Sequence, residues 1–126
     1  MSLLSTAPIH LGIPTTHFDE AKKFYGETLG LKVVREAKGV ALFEGGQETK
    51  LELFERAEPA NAPQTLGGFT VPNIEVAVKE LKANGVKFEH YEGLTVDGIA
   101  QTSPHTSCAW FRDPDGNYLV VTEWKE

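Results

Sequence analysis

The chain has a single cysteine, Cys108, among its 126 residues, which excludes an intrachain disulfide. It has no uncharged apolar run long enough to span a bilayer, and no basic segment followed by an apolar one opens it. A cytoplasmic protein without membrane contact is therefore expected. Basic residues are few, 12 Lys and Arg against 18 Asp and Glu, for a net charge of -6. They are interleaved with acids instead of forming the basic stripe that phosphate backbones require, so nucleic acid is not an expected partner. The phosphate-binding and dinucleotide glycine patterns are missing, and the short Gly-Gly pairs at 45 and 67 cannot replace them. No nucleophile elbow or spaced triad supports hydrolase chemistry either. At 40% hydrophobic and 24% charged, the composition is that of one globular domain able to bury a real core.

What is present is a sentence written twice. "HLGIPTTHFDEAKKFYGETLGLKVV", from His10, aligns with "LGGFTVPNIEVAVKELKANGVKFE", from Leu66, at an offset of about 56 positions, falling to about 55 after one deletion. Further on, "LFEGGQETKLELFE" aligns with "FRDPDGNYLVVTEW" at an offset of about 68. The difference places about 13 extra residues in the second copy, within Tyr91 to Ser107. Arg56 to Thr65, with two prolines and no periodicity, reads as a linker. Module one then covers about 7–55 and module two about 66–124, within one domain of 1–126.

Each copy has the pattern strand, helix and three strands. In the first, the strands fall near Ile9 to Ile13 and at "GLKVV", "VALFE" and "KLELFE". In the second they fall at Phe69 to Val71 and at "GVKFE", "CAWF" and "YLVVTE". Phe18, Ala21, Phe24 and Tyr25 form the apolar stripe of the first helix, with Thr16 as its expected cap and Gly30 as its stop. Ile74, Ala77, Val78 and Leu81 form the second stripe, between Asn73 and Gly85. Asp113 to Gly116, "DPDG", is a reverse turn, in which Pro114 fixes φ and Gly116 supplies a positive φ. Trp110 and Trp124 are expected in the core or at a contact.

The His10 to Val34 segment, with His10 fourteen residues before Phe24-Tyr25, and the "FRDPDGNYLVV" ending resemble the glyoxalase, bleomycin-resistance and extradiol dioxygenase superfamily, the vicinal oxygen chelate fold. The resemblance covers nearly the whole chain. It implies an α+β fold in which two βαβββ modules form a curved mixed-sheet cup with the helices outside. It also implies a small-molecule ligand inside the cup, often a divalent metal, and a homodimer. Members range from lyases, isomerases and dioxygenases to proteins that only sequester a drug, so the fold does not decide the function.

Metal-using relatives take one ligand from the first strand and one from the last strand of each module. Here those positions are His10 and Glu52 in the first module, and Leu66 and Val120 in the second. A half-site of His10 and Glu52 suits Zn, Mn, Ni, Co or Fe in donor chemistry, yet it falls short of the three or four protein ligands such metals take. No cofactor is therefore expected. The alternative is a divalent metal completed by water and substrate, or His10 and Glu52 acting as an acid/base pair. His105 and Cys108 lie three apart at the end of the inserted stretch and read as a loop histidine beside a buried thiol. Strand alternation puts Lys50, Glu52 and Phe54 on one face, and Tyr118, Val120 and Thr122 on the equivalent one, with Thr70 beside them. Lys50, Phe54, Thr70, Tyr118, Thr122, His105 and Trp110 are thus the expected ligand contacts, and Lys50 or His10 the expected ion partner of Glu52. Three readings follow: a pocket protein with a degenerate metal site, a lyase, isomerase or dioxygenase-like enzyme, and an oligomerisation unit with a vestigial pocket. The first accounts best for the two aliphatic positions.

Overall fold

The structure, a computed structural model, describes residues 3–125. The chain divides into two compact units, Met1–Ala60 and Asn61–Glu126, with the boundary inside the proline-rich linker. Unit one contains β1 (His10–Thr15), α1 (Phe18–Lys23), β2 (Lys32–Ala37), β3 (Val40–Glu44) and β4 (Lys50–Glu55). Unit two contains β5 (Thr65–Thr70), α2 (Ile74–Ala83), β6 (Ala100–Ser103), β7 (Thr106–Arg112) and β8 (Tyr118–Trp124). The sheets have the same plan, in the orders β1-β4-β3-β2 and β5-β8-β7-β6, with the first strand parallel to the last and the others antiparallel. This is an α+β fold of two βαβββ modules.

Alternation along the strands separates the faces. In β4, Leu51 and Leu53 are buried on the helix side, while Lys50, Glu52 and Phe54 stand half-exposed on the front. In β8, Leu119 and Val121 are buried, while Tyr118, Val120 and Thr122 take the front. Unit one packs Tyr25 of the first helical segment against Phe43 of β3, with ring centroids 6.1 Å apart. Unit two packs Ile74 and Val78 of α2 with Phe111, Leu119 and Val121 in its core. Burying a side chain of this size contributes roughly 1.5–3 kcal/mol, which is why the apolar stripes fix the helix faces.

The strand register confirms the repeat. Gly12 lies opposite Glu52 in unit one, and Gly68 lies opposite Val120 in unit two. Val33 pairs with Phe43 in a ladder, and Phe88 makes a single bridge with Phe111 at the corresponding place. Beyond Phe88 the copies part. "GVKFE" does not form the expected strand, because the chain leaves the edge of β7 after Glu89 and returns only at β6. Phe88 to Ala100 spans twelve positions where Val33 to Ala37 spans four, and Ala100 to Cys108 spans eight where Ala37 to Val40 spans three. The extra thirteen residues therefore make an eight-residue excursion and a five-residue longer hairpin. The excursion is held from within: the Thr95 hydroxyl accepts from the Tyr91 N–H at 2.9 Å, and Val96 and Ile99 bridge across an Asp97-Gly98 turn with positive φ at both residues.

Other local expectations are corrected. The cap position of α1 falls at His17, one residue beyond Thr16, and the His17 side chain makes no capping bond; the Thr16 hydroxyl lies 2.9 Å from His17 Nδ1, and the buried Thr15 hydroxyl accepts the His17 N–H. The first helix is α-helical only to Lys23 and widens into a π turn, Phe24–Thr28, before Gly30 at φ 79°. The first strand of the second copy is longer than expected, beginning at Thr65. Asn73 does cap α2, accepting from Val76 N–H at 3.1 Å, and Gly85 follows the helix at φ 98°. Trp124 is not core: on the front face at the end of β8, where it pairs with Thr106, it is 68% exposed.

Candidate functional site

The front face of each sheet presents a different chemistry. In unit one, His10, Gly12 and Pro14 on β1 are in register with Lys50, Glu52 and Phe54 on β4. His10 and Glu52 thus occupy the same face, one pair apart, and neither makes a hydrogen bond or ion pair with the described residues. His10 is exposed at the start of its strand, so it is not a core histidine. Lys50 does not turn to Glu52; its ammonium lies 3.2 Å from Glu44, directly across on β3, and donates to the Glu48 carbonyl at 2.9 Å. A lysine beside a directly opposed carboxylate reaches it with little side-chain ordering, whereas Glu52 faces the aliphatic Leu42.

In unit two the same face is apolar and aromatic. Trp110 on β7 lies opposite Val120, and Tyr118 lies opposite Arg112. The Arg112 guanidinium stacks 4.4 Å from the Tyr118 ring centroid and pairs with Glu89 at 3.0 Å. Tyr91, from the start of the excursion, meets Trp110 edge-on with centroids 5.7 Å apart. Burial, and then the Glu89 carboxylate, hold the Tyr91 phenol above its ordinary pKa, so it is a neutral hydrogen-bond donor near pH 7. Between Tyr91, Leu94, Trp110, Tyr118 and the approach to β5 at Pro63 and Gln64 lies a slot of about 420 Å³. This is within the size range of small-molecule sites, and ring faces are its main walls.

Further along the face, Cys108 Sγ lies 3.6 Å from Thr122 Oγ1 and 3.7 Å from Thr102 Oγ1. Thr70 is in register with Thr122. His105 is not brought to this group: it is exposed in the β6–β7 turn, its N–H donating to Ser103 Oγ at 3.1 Å. The structure gathers Trp110 and Tyr118, and separately Thr70 and Thr122, out of the candidates in this unit. Tyr91 and Arg112 were missed, because nothing local marks an excursion as returning to the sheet.

The donor set does not suit a metal of the usual kind. Leu66 falls in a bulge between Thr65 and Gly67, Val120 stands where Glu52 does, and neither has a donor atom. Among the described residues no group of three or more His, Cys, Asp and Glu is close enough to share an ion. Two protein donors are fewer than catalytic zinc or non-haem iron takes.

The sequence model of the Glyoxalase/Bleomycin resistance protein/Dioxygenase superfamily matches residues 8–121. The chain belongs to that superfamily. Solved structures agree at the level of the fold. A glyoxalase family protein from Bacillus anthracis is 20% identical, with TM-score 0.77 over 95% of this chain and 96% of that one. A glyoxalase/bleomycin resistance protein/dioxygenase from Alicyclobacillus acidocaldarius is 22% identical, with TM-score 0.68 over 96% and 93%. A lactoylglutathione lyase from Agrobacterium tumefaciens is 22% identical, with TM-score 0.70 over 94% and 93%. The superfamily binds small molecules, and among the described residues no helix is long and apolar enough to cross a membrane.

Proposed function

We propose that this superfamily member binds a small, partly aromatic molecule without a metal, and that the ligand docks on the front of the second sheet. The observation that carries this reading is the slot between Tyr91, Trp110 and Tyr118, set on a face where Val120 replaces the carboxylate of the first copy. A flat ligand would lie against Trp110 and Tyr118 and accept a hydrogen bond from the Tyr91 hydroxyl. The protein would work as a homodimer in the cytoplasm.

A second reading has one observation in its favour. Glu52 is half-buried with no partner among the described residues, and His10 stands on the same face. Such a pair could take and return a proton as base and acid in a lyase or isomerase reaction.

The experiment is a two-armed titration. In the first arm, protein stripped with chelator is offered Zn, Mn, Ni, Co and anaerobic Fe(II). No stoichiometric uptake is expected, and about one metal per chain, lost in both His10→Ala and Glu52→Ala, would overturn the metal-free reading. In the second arm, a library of aromatic carboxylates and phenols is screened by isothermal titration calorimetry. Hits should weaken about tenfold or more in Trp110→Ala, and hits indifferent to that change would move the site elsewhere.

A further inference from the structure

A second recess lies on the opposite, helix-bearing side of unit two. An α-helix is about 10 Å across, whereas four strands at 4.7–4.9 Å spacing present a wider floor. Packing on β7 and β8, α2 leaves the outer part of the sheet uncovered. The excursion, which the first module lacks, stands as a far wall. Between them is a groove of about 1050 Å³.

Its floor is unlike the rest of that face. Gln101, Ser107 and Glu123 are directly opposed across β6, β7 and β8, forming a polar row on a side otherwise built from residues such as Ala109 and Val121. Ser107 is only 6% exposed, and among the described residues its hydroxyl has no hydrogen-bond partner. No buried side-chain polar atom among the described residues lacks a partner, so this hydroxyl is open to the groove, and a ligand there can bond to it in place of water. In the repeat, Ser107 and Glu123 correspond to Gly39 and Glu55, so the first module has no such hydroxyl.

The walls carry charge of both signs. Glu75, Lys79 and Lys82 line the helix side, Asp97 the excursion side, and Glu123 and Lys125 the end of β8. Among the described residues these three carboxylates and three ammonium groups make no ion pair with one another. Glu123 accepts the Ile74 N–H at 2.8 Å, and Lys82 donates to the Asp97 carbonyl oxygen at 3.2 Å, bridging helix and excursion. Among the described residues Lys79 and Lys125 have no acidic partner, although the protein as a whole is acidic. Val78, Leu94 and Ile99 supply apolar surface between the charges.

We propose that this groove binds a zwitterionic small molecule, an amino acid or short peptide. Its carboxylate would meet Lys79 and Lys125, its ammonium Glu123 and Asp97, and a polar atom the Ser107 hydroxyl. Separated opposite charges in one recess match a ligand that carries both, whereas a ligand with a single charge satisfies only one half of the set. The apolar wall suits an aliphatic side chain.

The test follows backbone amide resonances of the full chain during titration with leucine, glutamine and glycyl-leucine. At least one should shift the amides of 93–99 and Ser107, saturating at millimolar concentration or below. N-acetyl-leucine amide, which carries neither charge, should bind about tenfold more weakly or not at all. Lys79→Gln, at an exposed helix position, should weaken the zwitterion about tenfold, as should Ser107→Val. Should Ser107→Val fail to fold, Lys79→Gln alone decides. No shift at these amides with any of the three probes, equal binding of the blocked analogue, or unchanged affinity in Lys79→Gln would overturn the assignment. Shifts confined to Trp110 and Tyr118 would do so as well, by placing the ligand on the other face.

Discussion

Gly68 holds β5 against β8 more closely than any side chain allows. A Cβ built there would collide with the carbonyl oxygen and the Cγ1 of Val120, whereas one on Gly12 would only touch the Phe54 ring at 3.4 Å. The bulge at Leu66 is the local difference between the two strands. Gly68→Ala should therefore cost about 1–3 kcal/mol, as overpacking against backbone does, and Gly12→Ala less than about 1 kcal/mol. Urea unfolding of the two variants checks this, and equal costs would show that β5 can relax. The sequence aligned the two glycines correctly, but the bulge was not legible, since it arises from register within the sheet and not from a residue type.

At the scale of elements, the "DPDG" turn is built around Asp113. Its carboxylate is 5% exposed and accepts from the Asp115 and Asn117 backbone N–H groups and from Asn117 Nδ2, each at 2.9 Å. Gly116 completes the turn at φ 83°. Asp113→Ala leaves those donors buried and should destabilise by roughly 2–3 kcal/mol, whereas Asp113→Asn keeps one acceptor and should cost less. Thermal unfolding of both variants measures the difference, and two equal losses would deny the carboxylate its organising role. The turn itself was readable from Pro114 and Gly116; the part played by Asp113 was not, because a hydrogen-bonding hub depends on which donors fold back on it. The same limit hid Glu123, which binds the start of α2 from 49 residues further along the chain. Alternation, by contrast, was enough to give the faces of β4 and β8, since Leu51, Leu53, Leu119 and Val121 follow a strict period of two. The same alternation puts Trp124 on the front with Tyr118, Val120 and Thr122, so its 68% exposure follows from the pattern, and the expectation of a core role came from residue type alone.

For the whole molecule, duplication explains the fold, and divergence explains the chemistry. The architecture repeats because the strand core positions of one module have apolar counterparts in the other, as with Phe43 and Phe111 or Leu53 and Val121. Functional positions carry no such packing constraint, so Glu52 can become Val120 at little structural cost, and an excursion can grow from the edge of β7. If stability resides in the two packed cores and no ion is part of the fold, chelator should leave the melting temperature unchanged, and added Zn or Mn should not raise it. His10→Ala, at an exposed strand end, should lie within about 0.5 kcal/mol of the parent. A ligand of either proposed site should raise stability by about 2.7 kcal/mol when present at 100 times its dissociation constant. Differential scanning calorimetry with and without chelator separates these cases: a fall in melting temperature on metal removal that His10→Ala reproduces would mean that the first module's half-site is completed by donors from elsewhere.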